Sequence, residues 1–136
     1  VLPNPHQTAF GELITPVISV YIVAWLYFVL SDYSAAGATV GKRLLRLRVA
    51  TDGHGAVSLP RALARTALKL LPWELAHIFG FALAGVVGPG VQNAGLIAAN
   101  LLVVVYLAVL LLYHGRRSVH DLVVKTQVVP AAPRNR

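Results

Sequence analysis

The chain has 136 residues, of which 57% are hydrophobic and only 12% charged, with a formal net charge of +7 and no cysteine. A soluble domain usually carries about twice that charged fraction, so the composition excludes an ordinary water-covered globule and makes the bilayer the natural solvent. Without cysteine there are no disulfides or thiolate metal sites. Basic residues set between apolar stretches favour anionic lipid headgroups, not nucleic acid, as the partner of the positive charge.

The chain opens on Val1 and contains no methionine, which predicts a fragment or a processed product. Residues 1–12 have neither the basic start nor the apolar core of a signal peptide. A first span is predicted over 13–30, which is uncharged throughout. At 1.5 Å rise per residue, about 20 residues cross a hydrocarbon core of about 30 Å. Pro16 falls in its first turn, where proline is tolerated, and Trp25, Tyr27 and Tyr33 lie toward its end, where amphipathic aromatics favour the headgroup zone.

Next comes Gly41-Lys42-Arg43-Leu44-Leu45-Arg46-Leu47-Arg48-Val49. Leu45, Leu47 and Val49 alternate with Arg46 and Arg48, the pattern of a half-buried strand. Asp52-Gly53-His54-Gly55 supplies turn chemistry, so a hairpin over 43–59 is predicted. Ser58 then caps an amphipathic helix over 59–71. Its Arg61, Arg65 and Lys69 share one face and Leu63, Ala67, Leu70 and Leu71 lie opposite, an arrangement suited to the headgroup plane.

The second span, over 70–91, is the short one. Glu74 and His77 interrupt it, and Gly88-Pro89-Gly90 stops it. Gly80, Ala84 and Gly88 recur every four residues, the small-residue spacing that lets helices approach closely. The third span, 94–113, is uncharged, with Asn100 its one strongly polar residue, expected to hydrogen-bond a neighbouring helix in preference to lining a pathway. Beyond it, 122–129 is a β-rich run ended by Pro130, able to pair with the hairpin. The tail 131–136 is expected to be disordered.

Charge then orients the spans. Lys42, Arg43, Arg46, Arg48, Arg61, Arg65 and Lys69 lie between spans one and two, and Arg116, Arg117, Lys125, Arg134 and Arg136 follow span three, which accounts for all 12 Lys and Arg residues. Three crossings put both basic segments on one side, and the positive-inside rule makes that side cytoplasmic. The expected architecture is an all-α transmembrane helical bundle of about three spans, multi-pass in the cell membrane. An interfacial amphipathic helix and a small cytoplasmic β-hairpin or sheet complete it, with basic loops and C-terminus cytoplasmic.

Three segments in this order carry a resemblance: Gly41–Val49 with Asp52 and Gly55; Ser58-Leu59 with Arg61-Ala62-Leu63 and Arg65; and Arg116-Arg117-Ser118-Val119-His120-Asp121-Leu122. Together, over roughly 25–129, they resemble the RDD family of small bacterial and archaeal membrane proteins. That family is named for one arginine and two aspartates. The resemblance assigns the arginine and first aspartate to an N-terminal helix not represented here and gives the second aspartate a counterpart in Asp121. It implies an upstream fourth helix, both ends cytoplasmic, and an activity that is undefined, with transport suspected.

Glu74 and His77 lie three apart on one helical face. At the membrane boundary such a pair can relay protons or bind a cation; the plainer reading is a helix start, with Glu74 on the N-terminal dipole and His77 filling an interfacial position. Asp121 lies beside Arg116, Arg117 and His120, as a gate or ion-pair switch or, more simply, as a structural lock on the basic loop. Lys42, Arg43, Arg46, Arg48, Arg61, Arg65 and Lys69 read as lipid and cytoplasmic anchors, and Gly80, Ala84, Gly88 and Asn100 as helix-packing positions. His114, His120 and Asp121 have no diagnostic metal spacing. No phosphate loop, hydrolytic triad or dinucleotide fingerprint is present, so neither an enzyme nor a cofactor is expected. Two functions remain: a transport or ion-coupling component, or a membrane scaffold that binds lipid and associates as a homo-oligomer or with other membrane subunits.

Overall fold

A computed structural model of the chain describes residues 5–131, with side chains from residue 18 onward. The predicted disordered tail lies outside the described residues except for Ala131, whose N–H bonds the carbonyl of Arg46 at 2.7 Å. The side chains of 13–17, that of Pro16 among them, also lie outside the description. The fold is mainly helical with one small sheet: α1 (Pro5–Tyr33), α2 (Val40–Leu44), β1 (Leu47–Thr51), α3 (Leu59–His77) running into a π turn (Ile78–Ala82), α4 (Pro89–Leu112), α5 (Val119–Val124) and β2 (Thr126–Pro130).

Helix α3 is the hub, packed against α1, α4 and α5. It starts where Ser58 adopts an extended conformation and Pro60 occupies the first turn, the position where a missing N–H costs least. The amphipathic helix predicted over 59–71 and the span predicted from residue 70 are one continuous helix, because it runs straight through Pro72. A proline inside a helix strands the carbonyl four residues back, here Leu68. The Tyr106 hydroxyl of α4 donates to that carbonyl at 2.6 Å. A neighbouring helix thus satisfies the group that proline freed, as a low-dielectric setting demands.

The sheet corrects two expectations. Strand β1 does not return as a hairpin; it pairs antiparallel with β2, with Val49 opposite Val128 and Thr51 opposite Thr126. The run predicted as a strand over 122–129 is divided: 119–124 is helical, and Lys125 in the left-handed region turns the chain into β2. The reason is Ser118, whose backbone N–H donates to Asp121 Oδ2 at 3.1 Å and so nucleates a turn of helix. On its other edge β1 meets Gly37, whose carbonyl accepts from Val49 N–H at 2.6 Å. A Cβ at Gly37 would sit 2.8 Å from the Val49 carbonyl oxygen, and its φ of +56° favours glycine independently.

A small apolar core of Val29, Val49, Val57 and Ala62 joins α1, β1 and α3, with Trp25 packed against it. Elsewhere the apolar surface points outward. On α1, Ile18, Val20, Ile22, Val23, Leu26 and Leu30 are each more than half exposed, and on α4 so are Ile97, Leu101, Val104 and Leu111. Among the described residues α4 is the one helix both long and apolar enough to cross a membrane, and Ile18–Tyr33 is a shorter apolar helix.

Gly80, Ala84 and Gly88 form no continuous small-residue face. Gly80 lies in the π turn and faces Leu96, the chain then leaves helical geometry, and a Cβ at Gly88 would meet nothing within 4 Å. The close approach is made by Gly95 of α4, where a Cβ would fall 2.1 Å from the Phe79 ring. Asn100 does not reach across to another helix: its Nδ2 donates to Leu96 O, one turn back, at 2.8 Å.

Candidate functional site: a buried arginine between two aspartates

Of the cationic stripe of α3, Arg65 and Lys69 face inward and Arg61 stays exposed. Arg65 is 1% exposed, and Ala62 and Thr66 beside it are fully buried, whereas Leu63 and Trp73 on the other side are 44% and 52% exposed. In water such an inversion is unfavourable twice over, leaving apolar surface wet and a charge dry. In hydrocarbon the apolar face is already solvated and only the charge needs a partner.

Arg65 has two. Its Nε donates to Asp121 Oδ1 at 2.9 Å, its Nη2 lies 2.8 Å from the same oxygen and 3.4 Å from His120 Nε2, and its Nη1 donates to Asp32 Oδ2. Asp32 ends the apolar stretch of α1 and Asp121 sits in the first turn of α5, so a single guanidinium ties the first helix and the C-terminal segment to the hub. The planar fork of arginine is suited to this; a lysine would serve as a point charge only.

The two carboxylates are served differently. Asp121 Oδ1 also accepts from Thr126 Oγ1 at 2.8 Å, and Oδ2 takes Ser118 N–H and lies 3.3 Å from His120 Nε2. Asp32 Oδ2 adds Lys69 Nζ at 3.4 Å, but Oδ1 has Lys42 Nζ only at 3.7 Å and no hydrogen bond. Burial opposes ionisation of both acids. For Asp32 the charges of Arg65, Lys69 and Lys42 outweigh it; for Asp121 the bond from His120 and the charge of Arg65 do. Both carboxyls are therefore held below their ordinary value. Burial likewise lowers His120 below its ordinary value, against the pull of Asp121; the neutral ring leaves Nδ1 buried without a partner.

Lys42, Lys69 and above all Arg65 are thus not free to anchor in headgroups: Arg65 is enclosed, and the lysines are held at Asp32 with side chains 22% and 20% exposed. Lys69 also lies 4.3 Å over the Phe28 ring. Arg43, Arg46 and Arg61 are exposed, while Arg43 Nε donates to Ala38 O and Arg48 Nη2 to His54 O. Arg116 and Arg117 do not pair with Asp121. Arg117 reaches Asp52 at 2.6 Å on the surface, and Arg116 contributes a backbone carbonyl to Val128. Asp121 faces inward, and the arginine that meets it comes from 56 residues upstream.

Glu74 and His77 are placed on the same stretch of α3 without bonding each other. Glu74 Oε1 accepts from Trp25 Nε1 of α1 at 3.1 Å. His77 Nδ1 donates to Trp73 O at 2.9 Å, and its ring lies between those of Trp73 (4.3 Å), Tyr21 and Phe81 (5.5 Å each). No group of three or more potential metal ligands occurs among the described residues.

A mainly helical chain with an outward apolar surface, an apolar helix of spanning length and charge gathered inside is the arrangement of a membrane protein. The family model described as the RDD family matches residues 3–125, and the chain belongs to that family. The match begins well before Gly41, where the first of the three segments starts. No curated protein and no solved structure matches. An arginine and two aspartates do converge in this chain, as Arg65, Asp32 and Asp121; of these, the resemblance gave a family role to Asp121 alone. Asp32 stands in no motif. The sequence signal that could have found it is its isolation, as one of only five acidic residues and the first charge after a long apolar run.

Proposed function

We propose that the protein is a non-enzymatic, multi-pass membrane protein that acts as a transport or ion-coupling component. Its charged centre is the Arg65 cluster at the cytoplasmic boundary, and Glu74 with His77 is a second station inside the membrane. The observation that carries this reading is the enclosure of Arg65 by two carboxylates with two further lysines on Asp32. Buried ion pairs are poor stabilisers relative to apolar packing, and ionisable groups at membrane depth mark pathways and couplings by default. Asp32, with one oxygen lacking a hydrogen bond, is the member best able to exchange a proton or a cation. In proteoliposomes, proton- or sodium-dependent flux should be abolished by Asp32→Asn and by Glu74→Gln and kept by Arg117→Ala. Unchanged flux in both of the first two variants would sink the coupling role.

The topology in this reading has spans over 13–30, 70–91 and 94–113, with the basic segments and the C-terminus in the cytoplasm and anionic headgroups as their partners. Cysteines introduced at His54 and Gly90, in a chain that has no other, should label from opposite faces of sealed vesicles. The alternative, a membrane scaffold forming homo-oligomers or joining other subunits, draws on the outward apolar stripe of α4 and the open position at Gly88. It would be favoured if Gly88→Leu disrupts association while Glu74→Gln changes nothing.

A further inference from the structure

Along α1 runs an open groove of about 430 Å³ with a wholly apolar wall, lined by Ser19, Val20, Val23, Ala24, Tyr27 and Phe28. From Ser19 to Phe28 the helical rise gives about 14 Å, close to half of a hydrocarbon core of about 30 Å and so the depth of one leaflet. Its far end is charged. Lys69 Nζ lies 4.3 Å over the Phe28 ring, and Lys69 and Lys42 meet on Asp32 at 3.4 and 3.7 Å. The Tyr27 hydroxyl accepts Val40 N–H at 3.2 Å, which holds the start of α2, and Lys42 with it, at that same end. Three cations, Arg65, Lys42 and Lys69, here face two carboxylates, Asp32 and Asp121, which leaves one positive charge over. The two ammonium groups reach the surface of the cluster, with side chains 22% and 20% exposed, whereas Arg65 and Asp32 are enclosed. We propose that the groove and the Lys42–Lys69 pair form a binding site for one anionic phospholipid, its phosphate on the two ammonium groups and an acyl chain along α1 from Phe28 to Ser19.

Each part of the ligand answers an observation. A phosphodiester carries the negative charge that the cluster is short of, and partly desolvated ammonium groups gain more from a counter-ion than fully hydrated ones do. Burial, with repulsion from Arg65 and Lys42 and against the pull of Asp32, pushes Lys69 from 10.5 down to about 8, and a phosphate opposes that repulsion. The lysines stay on Asp32 and do not extend outward as anchors. An ammonium has three donors, so each keeps N–H groups for a phosphate that comes to it. A zwitterionic headgroup brings its own cation and offers no net charge. A soluble phosphate ester makes no use of the groove, and an apolar helix of a second copy leaves the ammonium groups unmatched. The inference goes beyond the coupling reading and is tested by binding without flux, so the two can fail separately.

Native mass spectrometry of the protein released from maltoside micelles counts bound lipid directly. Titration with dioleoyl-phosphatidylglycerol should give one saturable adduct, about tenfold tighter than that of dioleoyl-phosphatidylcholine. Lys42→Gln and Lys69→Gln should each weaken it about fivefold, and Lys69→Arg, which keeps the charge, should retain it. Val23→Trp fills the groove from a position 65% exposed, so it spares both the fold and the lysines. It should lower the affinity for both lipids while the preference between them persists. Arg46→Gln combined with Arg61→Gln removes charge from the exposed surface instead and should leave the adduct unchanged. Glycerol 1-phosphate in millimolar excess should not displace the lipid. The comparison of lipids on the unsubstituted chain, and Val23→Trp, hold whether or not the lysine variants fold. Equal binding of the two lipids, or as large a loss in the surface double variant as in the lysine variants, would overturn the proposal. So would full displacement by glycerol phosphate, which makes the ligand a soluble phosphate ester. A changed oligomer mass in Val23→Trp with no loss of lipid would overturn it as well, by making the groove a seam between copies.

Discussion

The two halves of α3 solve opposite problems. From residue 59 to 69 the helix turns Arg65 and Lys69 inward, and Arg65 is met by Asp32 and Asp121 while Thr126, Ser118 and His120 complete the second carboxylate. From residue 70 to 82 it carries a proline, a π turn, a cavity and one carboxylate held by a single hydrogen bond. The first half is over-determined by polar contacts; the second has the irregular backbone and unfilled space associated with ligand sites and movement. In a low-dielectric surrounding, polar groups specify a unique arrangement wherever they are fully paired, and the place where pairing is incomplete is the place to look for exchange.

That contrast can be broken most severely at Arg65. Arg65→Met leaves two buried carboxylates facing each other, and removal of one member of a buried ionic group costs about 3–5 kcal/mol. Loss of a cooperative thermal transition in detergent is expected, with partial recovery when Asp32→Asn and Asp121→Asn are added. The two acids should then separate. Asp121→Asn, which disturbs every partner of a fully bonded carboxylate, should lower the melting temperature more than Asp32→Asn, where one oxygen has no hydrogen bond to lose. Equal effects would remove the asymmetry on which the exchange role of Asp32 rests.

Acid tests the same carboxylate without a substitution. Asp121 has an ordinary value of 3.8 that the fold lowers. Its stabilising contribution is therefore complete above that value and is lost as pH falls through the depressed folded value. Melting temperature should accordingly fall below about pH 4 in the unsubstituted chain and less so in Asp121→Asn.

A smaller effect is expected at the seam between the halves. Tyr106→Phe removes the hydroxyl that serves the Leu68 carbonyl and should cost about 1–3 kcal/mol, the penalty of a buried unsatisfied group, measurable by chemical or thermal unfolding. A negligible loss would mean that the carbonyl finds another donor. Smallest of all is the surface pair of Arg117 and Asp52, with side chains 27% and 44% exposed. Arg117→Ala should cost less than about 1 kcal/mol and leave the buried cluster intact. A large loss there would show that the C-terminal motif is held by its own arginines after all.

Much of the architecture was legible along the chain because it depends on neighbours in sequence. The apolar runs of α1 and α4, the Leu47–Val49 part of the strand and the start of α3 at Ser58 follow from local composition and periodicity, whereas Leu45 and Arg46 of the alternating run fall outside the strand. The family resemblance followed from Gly41-Lys42-Arg43, Arg61 to Arg65 and His120-Asp121. The missed features depend on partners far away in sequence. Which face of the α3 helix would turn inward was undecidable from its amphipathicity alone, since a cationic stripe suits a headgroup plane and a buried acid pair equally well. Nothing local tells Arg65 that Asp32 and Asp121 await it.

What the sequence by itself determined, then, was a hydrophobic helical chain whose cations cannot enter hydrocarbon unpaired. The partner of each charge was decided in three dimensions, because desolvating a guanidinium is tolerable only where two carboxylates from other elements converge on it. The same logic fixed the continuity of α3: Pro72 frees the Leu68 carbonyl, and Tyr106, 34 residues beyond the proline, donates the hydrogen bond that carbonyl lacks.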